Sequence, residues 1–222
     1  AALLLTAFAA EARTDHTPRN AADFGFRPTA SAEENARALQ KALDLGGTIQ
    51  ITEPGIYDIC STMLIGSNTT LEFGAGVQIR KQTNRKGEFA TYVFINRGAF
   101  SKTYDENIRI EGLTLICNGL DSGNDVDKVI GMMGHLSFYY VKHLAIDRFT
   151  TLDGTPHTYS IQVCSFEDLS VTGARIEGMK DAVHLCRDNK FVIRDCIFKT
   201  YDDPLAFNSH DYLLSGPELG WI

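Results

Sequence analysis

The sequence predicts an all-β protein, a single-stranded right-handed parallel β-helix (a solenoid) with an N-terminal capping α-helix. Three observations predict it: short apolar runs separated by turn residues, recurrence of these runs at a near-constant step, and one amphipathic helix ahead of them. A β-sandwich would also contain many short strands. Recurrence of equivalent residues at a fixed step is typical of a solenoid and favours the β-helix.

The apolar runs recur along most of the chain. Counted between their central or last apolar residues, the steps are 20, 39, 36, 25 and 22 residues. A step near 22 fits one coil, and the two long steps fit one coil plus an inserted loop. We expect these loops at residues 82–105 and 118–130. The residues used for the count are Ile51, Leu71, Ile110, Ile146, Val171 and Ile193.

A single helix precedes the strands. Ser31-Ala32-Glu33-Glu34 forms a capping box, which starts a helix by satisfying its free N–H groups. Apolar residues such as Leu39 and Leu43 follow at helical spacing, and Gly46-Gly47 ends the helix. We expect this helix to cover the open N-terminal end of the coil, because solenoids need a cover over exposed edge strands.

Composition limits the function classes. The 222 residues suffice for one domain with a sizeable core, and 44% apolar and 22% charged residues are ordinary for a globular protein. The net charge of −7 argues against nucleic-acid binding. The five cysteines lack zinc-ligand spacing, so we predict buried free thiols. We expect no metal, no cofactor and a monomer.

Residues 1–12 are similar to the end of a secretory signal. An apolar run is followed by Ala10 and Ala12 in an A-x-A pattern, although an apolar N-terminal helix is an alternative. The run is too short for a membrane span. We therefore predict a signal remnant over residues 1–12, a β-helix domain over residues 20–222, and a secreted or periplasmic location.

Two short strands open with acidic residues. Asp181 precedes Val183-His184-Leu185, and Asp202-Asp203 precedes Leu205-Ala206-Phe207, with 22 residues from Asp181 to Asp203. If this spacing makes one coil, Asp181 and Asp203 lie on neighbouring strands about 4.8 Å apart, with Asp202 beside them. Alternation then places Val183, Leu185, Leu205 and Phe207 inward, and His184 and Ala206 outward.

Three converging carboxylates have a chemical consequence. Like charges on neighbouring strands repel, so crowding should raise at least one pKa. A protonated carboxyl beside ionised ones is what glycoside hydrolysis requires, since one group protonates the leaving oxygen and another activates water. A calcium site is a chemical alternative. A lone Asp-Asp-Pro is usually only a turn.

Several segments resemble known β-helix enzymes. Ala22-Asp23-Phe24-Gly25 and Pro54-Gly55-Ile56-Tyr57 resemble the start of pectin-lyase-like β-helices. Residues 202–209, Asp-Asp-Pro-Leu-Ala-Phe-Asn-Ser, resemble the Asp-Asp-Cys-Ile-Ala-Ile-Asn-Ser segment of glycoside hydrolase family 28, the polygalacturonases and their relatives. Lys180-Asp181-Ala182-Val183 stands where that family carries Asn-Thr-Asp-Gly-Ile.

The chain also departs from that family. Pro204 replaces a Cys, and Lys180 and Ala182 replace a Thr and a Gly. The family has a Gly-His-Gly about one coil after its Asp pair and an Arg-x-Lys further on. Ile222 lies 19 residues past Asp203, and His210 comes too early for that His. The resemblance therefore implies a domain that is incomplete at its C-terminus.

The resemblance implies a polysaccharide hydrolase of the polygalacturonase type that inverts the anomeric centre. By position, Asp202 would be the general acid, and Asp181 and Asp203 would activate water. Two alternatives stay open: a pectate-lyase-like polysaccharide lyase that uses Ca²⁺ and a basic residue, and a glycan-binding β-helix without activity.

The predicted substrate is an acidic, pectic polysaccharide. Residues 175–199 contain six basic side chains, which suit a uronate chain. Lys180 adjoins Asp181 and is the first candidate for binding substrate. His184 should point outward, with Gln162 beneath it on the previous coil, so both are candidates to line a sugar subsite.

Overall fold

The computed structural model describes residues 17–122, 129, 131–187 and 190–208, so the predicted signal remnant lies outside the described residues. These residues form one α-helix, α1 (Ala32–Leu43), two short 3-10 helices (Ala21–Phe24 and Arg97–Ala99) and seventeen strands. The strands are β1 Arg19–Asn20, β2 Gly47–Ile51, β3 Gly55–Ile59, β4 Met63–Ile65, β5 Thr69–Phe73, β6 Val77–Lys81, β7 Phe94–Asn96, β8 Asp105–Glu111, β9 Thr114–Ile116, β10 Gly134–Asp147, β11 Thr150–Gly154, β12 Tyr159–Thr172, β13 Arg175–Gly178, β14 Val183–Cys186, β15 Phe191–Arg194, β16 Ile197–Thr200 and β17 Leu205–Asn208.

The strands form two parallel sheets. The larger sheet runs β1-β2-β5-β8-β10-β12-β14-β17, with β15 paired to β12, and with β7 paired to both β4 and β10. The smaller sheet runs β16-β13-β11-β9-β6-β3. The chain alternates between the sheets as it advances, an arrangement consistent with a parallel β-helix. The predicted all-β class with parallel strands is confirmed.

The strand register shows the size of a coil. Ile161 pairs with Val183, and Val183 pairs with Leu205, so one coil takes 22 residues. Lys180 and Asp202, whose side chains form a hydrogen bond, are also 22 residues apart. The first step has the same length, because Ile51 lies opposite Phe73 rather than Leu71. The 20-residue step counted in the sequence runs from Ile51 to Leu71, and these two residues are not register partners.

One predicted loop contains a strand. The long step from Leu71 to Ile110 spans residues 82–105, which we expected to be a loop. Within it, β7 (Phe94–Asn96) lies between β4 and β10 and completes the large sheet there. All three residues of β7 are buried. The other expected loop, 118–130, lies partly outside the described residues.

Apolar side chains stack in columns through the core. Parallel partners lie about 4.8 Å apart, so each buried residue packs on its equivalent in the next coil. One column follows the register from coil to coil and contains five fully buried residues before a partly buried last one. Its members are Ile49, Leu71, Ile110, Ile146, Val171 and Ile193.

Helix α1 begins as predicted. The Ser31 hydroxyl accepts from the Glu34 N–H at 3.3 Å, and the Glu34 carboxylate accepts from the Ser31 N–H at 2.9 Å. Leu39 and Leu43 are buried in the same core as the strands. The short strand β1 pairs with β2, ahead of the helix in the sequence. Coverage of the open end by the helix stays a prediction.

The cysteines are free thiols. Cys117, Cys164 and Cys186 are buried, and Cys60 and Cys196 are half-buried. Cys164 and Cys186 are register partners on neighbouring strands. Among the described residues, no helix is long and apolar enough to cross a bilayer.

Removal of the Ser31 hydroxyl tests whether the capping box stabilises helix α1. Ser31→Ala removes the acceptor for the Glu34 N–H and should lower the free energy of unfolding by about 1 kcal/mol. Urea unfolding followed by circular dichroism measures the change. Glu34→Gln is the matched control, because Gln also closes a capping box and should cost less. Equal stability of Ser31→Ala and the unmodified protein would contradict this account.

The close approach of Gly154 and Gly178 explains why glycine occupies both positions. A Cβ on Gly178 would lie 2.7 Å from the Cα of Gly154, on the neighbouring strand. Gly178→Ala should therefore destabilise the protein by about 1–3 kcal/mol, since backbone cannot move aside cheaply. Gly66→Ala is the control: its Cβ meets only the flexible Arg97 side chain, at 3.3 Å. A Gly178→Ala protein as stable as Gly66→Ala would refute the steric argument.

Candidate functional site

The acidic residues lie on two stacked turns. Residues 179–182 connect β13 to β14, and residues 201–204 connect β16 to β17. The strands on both sides of the first turn pair with those of the second, one coil further along the chain, so the turns must stack as well. The Ala182 N–H donates to the Asp203 carbonyl at 3.2 Å, which joins one turn to the next.

The three predicted carboxylates converge. One oxygen from each of Asp181, Asp202 and Asp203 lies within 4.8 Å of the other two. Asp181 is only 4% exposed, whereas Asp202 and Asp203 are exposed. The cluster therefore has one buried acid and two that solvent can reach, which is a chemical asymmetry that the sequence did not show.

Asp181 is held by a buried histidine. The Nδ1 of His184 lies 2.7 Å from Oδ2 of Asp181, and its Nε2 lies 3.0 Å from the amide Nδ2 of Asn208. When Nε2 accepts from that amide, Nδ1 carries the proton and donates to Asp181. The ring of Tyr159 stacks on His184 with centroids 4.1 Å apart and planes 15° apart. The Asp181 carboxylate is thus fixed in orientation.

The expected exposure of His184 is wrong. Its side chain does point away from the apolar core, but it is only 3% exposed. The cause is coverage from both neighbouring strands, since Tyr159 on β12 and Asn208 on β17 enclose the ring. His184 is therefore placed to position Asp181 rather than to line an open sugar subsite.

Gln162 is also placed differently from expectation. It lies opposite His184 in the register, as predicted, but it is fully buried. Its side-chain oxygen accepts from the Met133 N–H, and its side-chain nitrogen donates to the Gly131 carbonyl. Residues 131–133 cover this position, so Gln162 does not face a substrate subsite. Coverage by a distant segment cannot be read from strand alternation.

Lys180 joins the carboxylates. Its ammonium donates a hydrogen bond to Asp202, lies 3.9 Å from Oδ1 of Asp181, and stands 5.6 Å from the centroid of the Tyr159 ring. The hydrogen bond to Asp202 is the main cause that raises the pKa of Lys180. A cation beside Asp181 and Asp202 offsets the repulsion between these carboxylates.

The expected protonation of the cluster is wrong for Asp202. The hydrogen bond and charge of Lys180 hold the pKa of the Asp202 carboxyl below its ordinary value. Desolvation acts in the other direction and is the smaller effect, since the carboxyl is exposed. A general acid needs a raised pKa, so the bond to Lys180 disfavours the protonated form of Asp202 that this role requires.

Four of the six basic residues predicted around the acids pair with acidic residues outside the cluster. Arg175 and Lys199 both pair with Glu177, and Lys190 pairs with Asp168. Arg194 pairs with its neighbour Asp195. Of the basic side chains predicted there, Lys180 is the one for which the structure describes contacts with the carboxylates.

Tyr159 and Asn208 were not among the predicted site residues. Asp181 follows Tyr159 by one coil, and the Ser160 N–H donates to the Asp181 carbonyl at 3.0 Å. The coil length could therefore have pointed to Tyr159, but nothing in the sequence showed that its ring would lie on His184. Carboxylate oxygens suit hard cations, so Asp181, Asp202 and Asp203 could also hold Ca²⁺.

Comparison with known proteins bears on the fold. No protein-family model matches this chain, and no curated protein is similar to it at a significant level. Its structure is similar to that of PfbA, a surface adhesin of Streptococcus pneumoniae, with a TM-score of 0.53 and 19% identity. That similarity covers 74% of this chain and 39% of the adhesin, so the chain spans about two fifths of the adhesin's length. At this identity the similarity shows a shared fold.

A second solved structure is more distantly similar. It is described as a "putative glycosyl hydrolase" from Parabacteroides merdae. The TM-score is 0.45 and the identity 13%, over 86% of this chain and 96% of that protein.

The difference in burial predicts that loss of Asp181 destabilises the protein more than loss of Asp203. Asp181→Ala leaves the buried Nδ1 of His184 without its acceptor and should lower the free energy of unfolding by about 1–3 kcal/mol. Asp203→Ala, the matched control from the same cluster, should change it by less than about 0.5 kcal/mol because Asp203 is exposed. Urea unfolding measures both. Equal effects of the two variants would show that the hydrogen bond to His184 does not stabilise the fold.

Proposed function

We propose that the protein is a polysaccharide hydrolase that cleaves glycosidic bonds with Asp181, Asp202 and Asp203. The observation that supports this best is the convergence of three carboxylates in unlike environments, one buried and fixed by His184 and two exposed. Glycoside hydrolysis needs two carboxyl groups whose environments give them different roles. An exposed position on stacked turns also gives a polymer access from solvent.

The proposed reaction consumes one water molecule. The water oxygen bonds to the anomeric carbon while the bond from that carbon to the glycosidic oxygen breaks. A proton from the water passes to Asp181 or Asp203, and the leaving oxygen receives a proton from Asp202. His184 contributes by holding Asp181 in one orientation. Proton exchange with solvent then restores both groups.

The inverting course requires a change of geometry. In most inverting enzymes the two carboxyl groups are about 6.5–9.5 Å apart, which leaves room for the water. Here the nearest oxygens lie within 4.8 Å, with Asp202 drawn toward Lys180. Asp202 must at least lose its bond to Lys180 before it can serve as the acid.

The finer proposal is a secreted or periplasmic monomer that acts on galacturonan or a related pectic chain. It follows from the resemblance of residues 202–209 to family 28 and from the cation at Lys180, which suits an acidic sugar. We also propose that the stacked coils form a right-handed β-helix and that α1 covers its first coil.

A second candidate function is glycan binding without cleavage. The observation that favours it is the ion pair of Lys180 and Asp202, which keeps the supposed acid ionised. PfbA, with a similar fold, is a surface adhesin. A polysaccharide lyase is a third possibility, in which Ca²⁺ would occupy the three acids.

Release of reducing ends tests the proposal. The full-length protein should release them from galacturonan, and Asp202→Asn, Asp181→Asn and Asp203→Asn should each lower the rate by about 10²-fold or more. Asp195→Asn is the control, since Asp195 is an exposed acid that pairs with Arg194 away from the cluster.

The product distinguishes the candidates. Proton NMR of the first product gives its anomeric configuration, and inversion is expected. An unsaturated product that absorbs ultraviolet light and disappears with a chelator would instead identify a lyase. Binding to galacturonan without any cleavage would overturn the hydrolase proposal and support the binding function.

A further inference from the structure

We propose that the acid cluster accepts a sugar chain only at its end, because a neighbouring segment blocks the side of the preceding coil. The inference rests on the proposed function and deepens it, since it states which bonds of a polysaccharide the site can reach. The blocking segment, here called the wall, consists of residues 118–121, 129 and 131–133. A hydrolase with this wall releases short products from chain ends and does not cut inside the chain.

The first part of the wall is fixed to the turn that precedes the acidic turns. Residues 155–158 connect β11 to β12, one coil before the turn that carries Asp181. The Asp121 carboxylate accepts from the hydroxyl groups of Thr155 and Thr158 at 2.8 and 2.6 Å. It also accepts from a backbone N–H of the same turn at 3.1 Å. The chain itself therefore occupies the corner of the coil that a sugar chain would have to follow.

Buried and partly buried polar groups hold this part of the wall in place. The Lys81 ammonium is 3% exposed and donates to the carbonyl groups of Leu120 and Asp121 at 2.7 and 3.1 Å. The Asp153 carboxylate accepts from the Asn118 N–H at 2.9 Å. Hydrogen bonds to charged groups are about twice as strong as neutral ones. The wall is thus fastened to the coil from two sides.

The second part of the wall covers the outer face of β12 and β14. The Tyr92 hydroxyl donates to the carbonyl groups of Val129 and Met132 at 3.1 and 2.9 Å. Both of these side chains pack in an apolar cluster with Cys164 and Cys186, which are each 1% exposed. Packed layers of chain lie about 10 Å apart, so this cover is thicker than a sugar ring.

The wall adjoins the acids through a single aromatic ring. The Tyr159 N–H donates to the Met133 carbonyl at 3.1 Å, and the Tyr159 ring stacks on His184. His184 in turn contacts Asp181. A sugar bound at Asp181 therefore has the wall directly beside it, on the side of the preceding coil.

The other side of the acid cluster faces solvent. Asp202 and Asp203 on the following turn are exposed, and the adjoining Tyr201 is 88% exposed. A sugar chain whose reacting bond lies at the acids can continue over this turn. It cannot continue through the wall, so the chain must end there.

Binding stoichiometry tests the wall without any turnover. Asp202→Asn prevents the proposed cleavage, and titration calorimetry with short and long oligogalacturonates of defined length then gives the number of protein molecules bound per chain. One molecule per chain is expected at every length, because each chain presents one end of the polarity that fits the site. A site that accepts the middle of a chain would bind more protein molecules to a longer chain, which would overturn the wall.

The course of cleavage gives a second measurement. Each cut at a chain end removes only a short piece, so reducing ends should accumulate from galacturonan well before the viscosity falls. A cut inside a chain lowers its length greatly, so the viscosity falls with the first cuts. Both quantities are followed in one sample. An early fall in viscosity would overturn the wall and leave the hydrolase proposal standing.

Two variants loosen the wall. Asp121→Ala removes the acceptor of the Thr155 and Thr158 hydroxyl groups, and Thr158→Val removes one of these donors with little change of shape. Both should allow more than one protein molecule on a long chain and an earlier fall in viscosity. Asp121→Asn keeps an acceptor oxygen and should behave as the unmodified protein does. Asp58→Ala is the control, since Asp58 pairs with Arg80 on the smaller sheet.

The outcomes are distinguishable from those of the hydrolase proposal. One bound molecule per chain, in a protein that cleaves no pectic chain, would support the wall and remove the hydrolase. Cleavage inside the chain would do the reverse. The wall is also overturned if galacturonan fails to bind, or if folded Asp121→Ala and Thr158→Val proteins keep the stoichiometry of the unmodified protein.

Discussion

The in-register pairing of parallel strands from one coil to the next is the constraint on which the rest of this structure depends. An inner strand such as β14 forms backbone hydrogen bonds with the strand before it and with the strand after it, so a residue must lie directly over its equivalent. Apolar positions therefore collect into columns, and the core grows by one layer with each coil. Deviations such as β7 lengthen a coil without changing the register of the following strands.

The same constraint creates the site. Stacking brings Asp181 and Asp203 together whether or not their charges repel, and the chain compensates with two other groups. Lys180 supplies a cation to Asp202, and His184 supplies a hydrogen bond to Asp181. The buried acid and the exposed acids consequently differ in what they can do, although they share one patch of surface.

The fold of this protein does not by itself indicate its function. The adhesin with a similar structure shows that coils of this kind can form a surface protein, but a scaffold does not determine the chemistry of its turns. The proposed activity depends on three carboxylates and on the partner of Lys180.

The sequence by itself determined the recurring parallel strands, helix α1 with its Ser31 cap, and the convergence of the three acids, because all of these follow from spacing along one chain. Tertiary structure decided the environment of each group. Alternation showed which side of β14 His184 occupies, but only the folded chain places Tyr159 and Asn208 over it. Coverage of a side chain and the pKa of a carboxyl depend on groups brought close in space, and spacing along one strand does not contain that information.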